Sequence, residues 1–169
     1  MATSQPETTL DPRYSEQQAT ATSWDDARRE LERAEIFWIS TVRPDGRPHV
    51  APLIAVWDGE ALWFCTGPDE RKARNLEGNP RVVLTTGCNA LGEGLDVVVE
   101  GEAINVRDEA ELQGIADAYV AKYGEAWRFA VRDGAFRHQS GDALVFRVAP
   151  ATAFGFGRGD MYSQTRWRF

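Results

Sequence analysis

Apolar residues along this chain fall mostly into short runs bounded by Gly, Pro and Asp, the punctuation of strands rather than of long helices. Runs at 36–42, 49–57, 61–66, 81–86, 95–106 and 143–156 predict six strands. The first three are separated by Arg43-Pro44-Asp45-Gly46-Arg47 and by Asp58-Gly59, both with hairpin-turn chemistry. They predict an antiparallel meander. The 49–57 run is apolar at nearly every position, which predicts a strand covered on both faces. Pro52 lies inside it and has no N–H for a ladder. Either the strand is locally an edge, met there by a cofactor or a second subunit, or the proline marks a bulge or barrel seam. Gly101 predicts a bulge or bend in the 95–106 strand, and Pro150 a break in the last one.

Three segments predict helices. Ser23 is placed to cap a helix over 24–34, with Asp25 and Asp26 in its first turn. A short helix is expected over 68–78, with Pro68 at its start and Gly78 at its end. Leu112, Ile115, Ala116, Tyr119, Val120 and Tyr123 recur at helical spacing and predict a helix over 107–123 whose stripe is core. A further helical turn is expected within 125–132, and loops at 87–94 and 136–142, with His138 exposed. Residues 1–23, rich in Thr, Ser, Gln and Pro, read as a flexible arm that in an oligomer can wrap a neighbour. Residues 24–169 read as one domain. The glycine-rich 155–159 segment is no dinucleotide fingerprint, because no helix pattern follows it.

Composition narrows the functional classes. A net charge of −7 argues against general nucleic-acid binding and against an anionic membrane surface, so any phosphate site must be a local positive island. Cys65 and Cys88 imply no disulfide framework, and His49 and His138 alone give no metal-ligand cluster. The longest apolar run, 50–57, is far short of the roughly 20 residues a membrane helix needs. The first 23 residues lack an apolar signal core, which makes a cytoplasmic location the expectation. All but Lys72 and Lys122 of the 19 basic residues are arginine, a compositional mark of a GC-rich genome. No paired carboxylates, nucleophile elbow or phosphate-binding glycine loop is visible, so no catalytic side chain is nominated. A bound cofactor can carry the chemistry of such a protein.

The stretch 61–86 gathers the candidate chemistry. It runs strand, helix, strand, with Thr66 at a strand end and Arg71, Lys72 and Arg74 at the head of the helix. A hydroxyl and fixed cationic donors at one place suit a phosphate. A solvated basic helix face, neutralised by Asp69, Glu70 and Glu77, suits the same residues. Glu70 and Asp69 already hold the favourable end of the helix dipole, so side chains rather than the helix terminus would hold the anion.

The order strand, Thr66, Arg71-Lys72, Asn79-Pro80, strand resembles the pyridoxamine 5′-phosphate oxidase-like family, and its small flavin and deazaflavin oxidoreductases in particular. The run Val97-Val98-Val99-Glu100-Gly101-Glu102-Ala103 is similar to the family's next strand. The sequence departs from the pattern at Cys65, where the family often has Tyr, and at Glu70, where it often has Ser. The resemblance implies a mainly β fold with flanking helices (α+β), a six-stranded antiparallel split β-barrel of Greek-key, FMN-binding type. It implies FMN or the deazaflavin coenzyme F420 as cofactor, a small-molecule substrate, and a homodimer with sites at its interface. Trp38, Trp57, Trp63 and Phe64 are candidates either for that interface or for the barrel core.

The candidate cofactor-binding residues are Val50, Pro52, Thr66, Arg71, Lys72, Asn75, Asp96 and Trp167. Thr66, Arg71 and Lys72 match phosphate-holding positions, and Asp96 a position beside the ring. Trp167, between Arg166 and Arg168, either stacks on a planar ring or covers a barrel end. Arg43, Arg47, Arg74 and Arg158 are candidates for the acidic tail of F420. An oxidoreductase moving hydride to or from a small substrate is the first reading. A flavin- or ligand-binding module without turnover, and a true pyridoxamine-phosphate oxidase, are the alternatives.

Overall fold

A computed structural model describes residues 5–139 and 141–169. In chain order the elements are β1 (Glu7–Leu10), α1 (Trp24–Arg33), β2 (Phe37–Val42), β3 (Pro48–Leu53), β4 (Val56–Trp57), β5 (Leu62–Thr66), α2 (Arg71–Gly78), β6 (Arg81–Thr86), β7 (Gly94–Val106), α3 (Glu109–Tyr123), a 3₁₀ turn (Glu125–Trp127), β8 (Ala130–Arg132), β9 (Ala135–His138), β10 (Gly141–Arg158) and β11 (Ser163–Arg168). Every strand pairing is antiparallel. The main path is β1-β11-β10-β7-β6-β2-β3.

The long strand β10 organises the sheet. From Val145 to Arg158 one edge pairs with β7, while residues 141–143 pair with β9. Its other edge pairs first with β5, where Phe146 faces Phe64, and then with β11, where Ala153 faces Trp167. The six strands expected from the sequence therefore lie in the order β3-β2-β6-β7-β10-β5, a mainly β, antiparallel fold that matches a split barrel. The sheet does not close, because β3 and β5 do not pair with each other.

Inside the curve, Phe37, Ile39, Leu62, Phe64, Leu84, Val97, Val99 and Val148 form the main core, and α1 plugs one side of it with Trp24, Ala27 and Leu31. Ser23 caps α1 as expected, its hydroxyl accepting from the Asp26 N–H at 3.1 Å. A second core lies outside β5, where Leu112, Ile115, Ala116 and Tyr119 of α3 cover Trp63, Phe136 and Val145. Fully burying one such apolar side chain contributes about 1.5–3 kcal/mol.

Several expectations need correction. The 49–57 run is two strands, and β2-β3 and β4-β5 are separate hairpins rather than one meander. β3 pairs only with β2, so Pro52 sits on an edge, where a missing N–H is tolerated. Its outer face is open, with Val50 54% exposed. The strand covered on both faces is β5, which lies between the two cores. Helix α2 begins at Arg71 rather than at 68, because the Glu70 N–H first closes a turn onto the Gly67 carbonyl at 3.1 Å. The last strand runs through Pro150. The register shift lies between Pro150 and Thr152, opposite Gly101, whose missing Cβ makes room for the Ala149 carbonyl.

The helical turn expected within 125–132 is a 3₁₀ turn at Glu125–Trp127, whereas the loop expected at 136–142 gives way to the start of β10 and the β8-β9 hairpin. Asp133 and Gly134 form its turn with φ of 55° and 70°, the left-handed pair that two-residue hairpins require. The arm read as flexible is held on the sheet at 7–10, where β1 pairs with β11 from Glu7↔Arg168 to Leu10↔Thr165.

Candidate functional site

The alternation of β2 turns Phe37, Ile39 and Thr41 inward, which puts one buried hydroxyl at the far end of the strand. Helix α2 lies against that end and buries Lys72, Ala73, Asn75 and Leu76. Asn75 Nδ2 donates to Thr41 Oγ1 at 2.9 Å, and Thr41 Oγ1 lies 3.4 Å from Nδ1 of His49, its cross-strand partner on β3. Thr66 closes β5, is 2% exposed, and donates from Oγ1 to the Gly67 carbonyl at 3.4 Å.

The electrostatics of this corner are unlike those of the rest of the chain. Burial lowers the pKa of His49, and the cations of Arg43, Lys72 and Arg71 lower it further. Arg43 and Arg71 form no ion pair among the described residues, and Arg43 Nε and Asn75 Oδ1 are buried without a partner. Buried polar atoms are rarely left so. The uncommitted guanidinium groups of Arg71 and Arg43, with the orphaned Arg43 Nε, make a donor set that fits an anion, and a phosphate in particular; Asn75 Oδ1 is an acceptor and does not belong to it.

One cation of the set is already committed. The Lys72 ammonium, 10% exposed, is ion-paired with Glu70 Oε2. Partial burial raises the Glu70 carboxyl, but Lys72, the Gly67 N–H and the Thr66 hydroxyl together hold its pKa below the usual value. Next to them the Cys65 thiol is pushed up to about 11, first by burial and then by Glu70. It is a packed thiol and no nucleophile.

Thr66, Arg71, Lys72 and Asn75 of the predicted set come together here. Val50 and Pro52 sit on the exposed face of β3, opposite Ser40 and Trp38. The remaining two go elsewhere. Asp96 lies beyond the other end of β2, past Thr86, and its carboxylate accepts from Arg158 Nη2 at 2.8 Å. Trp167 is fully buried in the main core, 5.4 Å from the Trp24 ring, over Gly155, whose Cβ would come within 2.4 Å of its ring. It cannot stack on a bound ring from there. Of the arginines considered for an acidic tail, Arg47, Arg74 and Arg158 are paired with Asp45, Asp69 and Asp96, which leaves Arg43. The sequence reading passed over Thr41 and His49 as site residues. The alternation of the 36–42 run and the hairpin register were the signals that would have placed them together.

The outer face of the same strands carries a groove of about 740 Å³. Val42 and Pro48 line one side, Val83 and Ile104 the middle, and Ala149 and Ala151 the other. Thr41 also borders it, although its hydroxyl is turned to the other face of β2, toward Asn75. Trp38 and Ile104 are more than half exposed. Trp63 and Phe64 are buried and Trp57 half-buried, so Trp38 is the aromatic left open among those considered for an interface.

Residues 23–156 match the pyridoxamine 5′-phosphate oxidase family model, and the chain belongs to that family. No curated protein sequence matches it. Among solved structures, an F420 reductase is 26% identical, with 75% of this chain and 94% of that one covered and a TM-score of 0.51. An FAD-binding protein from Mesorhizobium loti is 17% identical over 97% of this chain and 99% of its own, with a TM-score of 0.59. A heme storage protein from Vibrio cholerae is 21% identical over 75% and 88%, also at 0.59. The last two likenesses are of fold. No described helix is long and apolar enough to cross a membrane.

Proposed function

From that family membership we propose that the chain holds a phosphate-bearing flavin-type cofactor, FMN or F420, and uses it as an oxidoreductase on a small organic substrate. The observation that carries this is the pair of guanidinium groups, Arg43 and Arg71, left without an ion pair among the described residues, near His49 in a chain of net charge −7. A groove of about 740 Å³, lined mostly by apolar side chains on the outer face of the same strands, would take the ring. Arg71 and Arg43 would hold the phosphate, with Asn75 and Thr66 as neutral partners. The cofactor, when bound, supplies hydride transfer. The protein's part is to fix the phosphate, flank the ring and exclude water.

The open face of β3 and β2, with Val50, Pro52 and Trp38, supports a homodimer whose second copy covers the ring. Arg81 faces Glu102 across β6 and β7 beside it, so the surface carries both signs. A true pyridoxamine-phosphate oxidase is the weaker reading, because Trp167 of the arginine-flanked C-terminal segment lies within the core and that segment is a sheet strand.

Titration of the purified protein with FMN and with F420, followed by tryptophan fluorescence, tests the proposal. Saturable binding of one, lost at high salt, supports it. Binding of neither refutes it. Turnover with the reduced cofactor then separates an oxidoreductase from a carrier or sensor.

A further inference from the structure

Glu70 occupies the place an incoming phosphate would take at the end of β5. Its Oε1 accepts from the Gly67 N–H at 2.9 Å, and its Oε2 is paired with the buried ammonium of Lys72. A strand-end N–H and a buried ammonium, beside the Thr66 hydroxyl, are the donors a phosphate there would use. Glu70 stands at the N-terminus of α2 yet caps no backbone N–H of the helix. Its carboxylate is turned instead onto the Gly67 N–H and the Lys72 ammonium.

We propose that Glu70 sets the class of phosphate this site accepts, disfavouring a phosphomonoester and admitting a phosphodiester. This rests on the cofactor reading above and narrows it. A monoester carries about −1.5 to −2 charges at pH 7, whereas a diester has no second ionisation. With Lys72 already neutralised, a monoester must meet a fixed carboxylate with only Arg71 and Arg43 to offset it. A diester brings less charge and needs fewer donors. Discrimination by a standing like charge is a repulsive device, built against the wrong ligand rather than for the right one.

The test compares FMN with its methyl phosphodiester, two ligands with the same ring that differ in phosphate charge, on the full-length protein and on Glu70→Gln and Glu70→Ser. F420 serves as a third ligand. We expect the wild type to bind the methyl ester roughly tenfold or more tightly than FMN, as one displaced charge pair of modest strength implies. Both variants should bring the two ligands to similar affinity. FMN bound by the wild type as tightly as its ester overturns the proposal, and this arm needs no variant to fold. A preference for the ester that both folded variants retain overturns it as well. If no ligand, F420 included, binds any of the proteins, the cofactor reading itself fails.

Discussion

Two regions of this molecule place arginines beside an aromatic ring, and they do opposite things. At the C-terminus, Arg166-Trp167-Arg168 lies on an inner strand between β10 and β1. Strand alternation turns Trp167 into the core and the arginines away from it. At the β2 end, Arg43 of the β2-β3 turn and Arg71 and Lys72 of α2 bring their charges to bear on His49 of β3. The first cluster is adjacent in sequence and dispersed in space. The second is dispersed in sequence and adjacent in space. Chemistry follows the second kind, because a site needs donors aimed at one locus, and a strand separates consecutive side chains to opposite faces.

The sharpest break in that comparison is at Trp167. Replacing it with Ala should cost about 3–5 kcal/mol of stability, as for other buried aromatic truncations, and deleting 165–169 should cost more by removing a strand as well. Chemical denaturation reads both. A variant that keeps its midpoint but loses cofactor affinity would move Trp167 from the core to the site. Next in size is the site itself. Arg71→Ala or Arg43→Ala should each weaken cofactor binding by about 1.5–3 kcal/mol with little change in thermal midpoint, as seen by fluorescence titration beside a melt. Asn75→Ala should cost about 1–2 kcal/mol of stability by leaving Thr41 without its donor, read from the denaturation midpoint.

The smallest effect is a pH dependence far from the site. Burial pushes Lys122 from 10.5 down to about 8, although it donates to the Ala55 carbonyl at 3.0 Å and faces the rings of Phe37 and Tyr123. The unfolded chain then binds this proton more tightly, so stability should rise from about pH 8 to 9, beyond which the Cys65 thiol, raised from 9.0 to about 11, opposes the rise because the unfolded chain ionises it first. Above that, Tyr123, raised to about 12 by burial, reverses the trend, because only the unfolded chain ionises it. Lys122→Met should flatten the rise in a series of melts across that range.

The sequence made the six main strands and α1 and α3 legible, because their runs, caps and helical spacing are local signals. It hid the β8-β9 hairpin, although Asp133-Gly134 marked its turn, because the flanking segments are too short to show an alternation. It misjudged the covering of β3 for one reason. An apolar strand is covered on both faces only if something lies on each side, and that depends on where α3 docks. Thr66, Arg71, Lys72 and Asn75 were legible because they lie within one short stretch. Thr41, Arg43 and His49 reach that stretch only through tertiary contact with the β2-β3 hairpin.

The most direct test of the account is a cofactor titration of the Arg43→Ala/Arg71→Ala double variant beside the wild type, at low and moderate salt, with a thermal melt of each. The account predicts wild-type binding that weakens with salt. The double variant should lose roughly a hundredfold or more in affinity, as two charge-assisted contacts imply, at an unchanged melting temperature. Equal affinity in the two proteins would contradict the assignment of the cationic corner as the phosphate site.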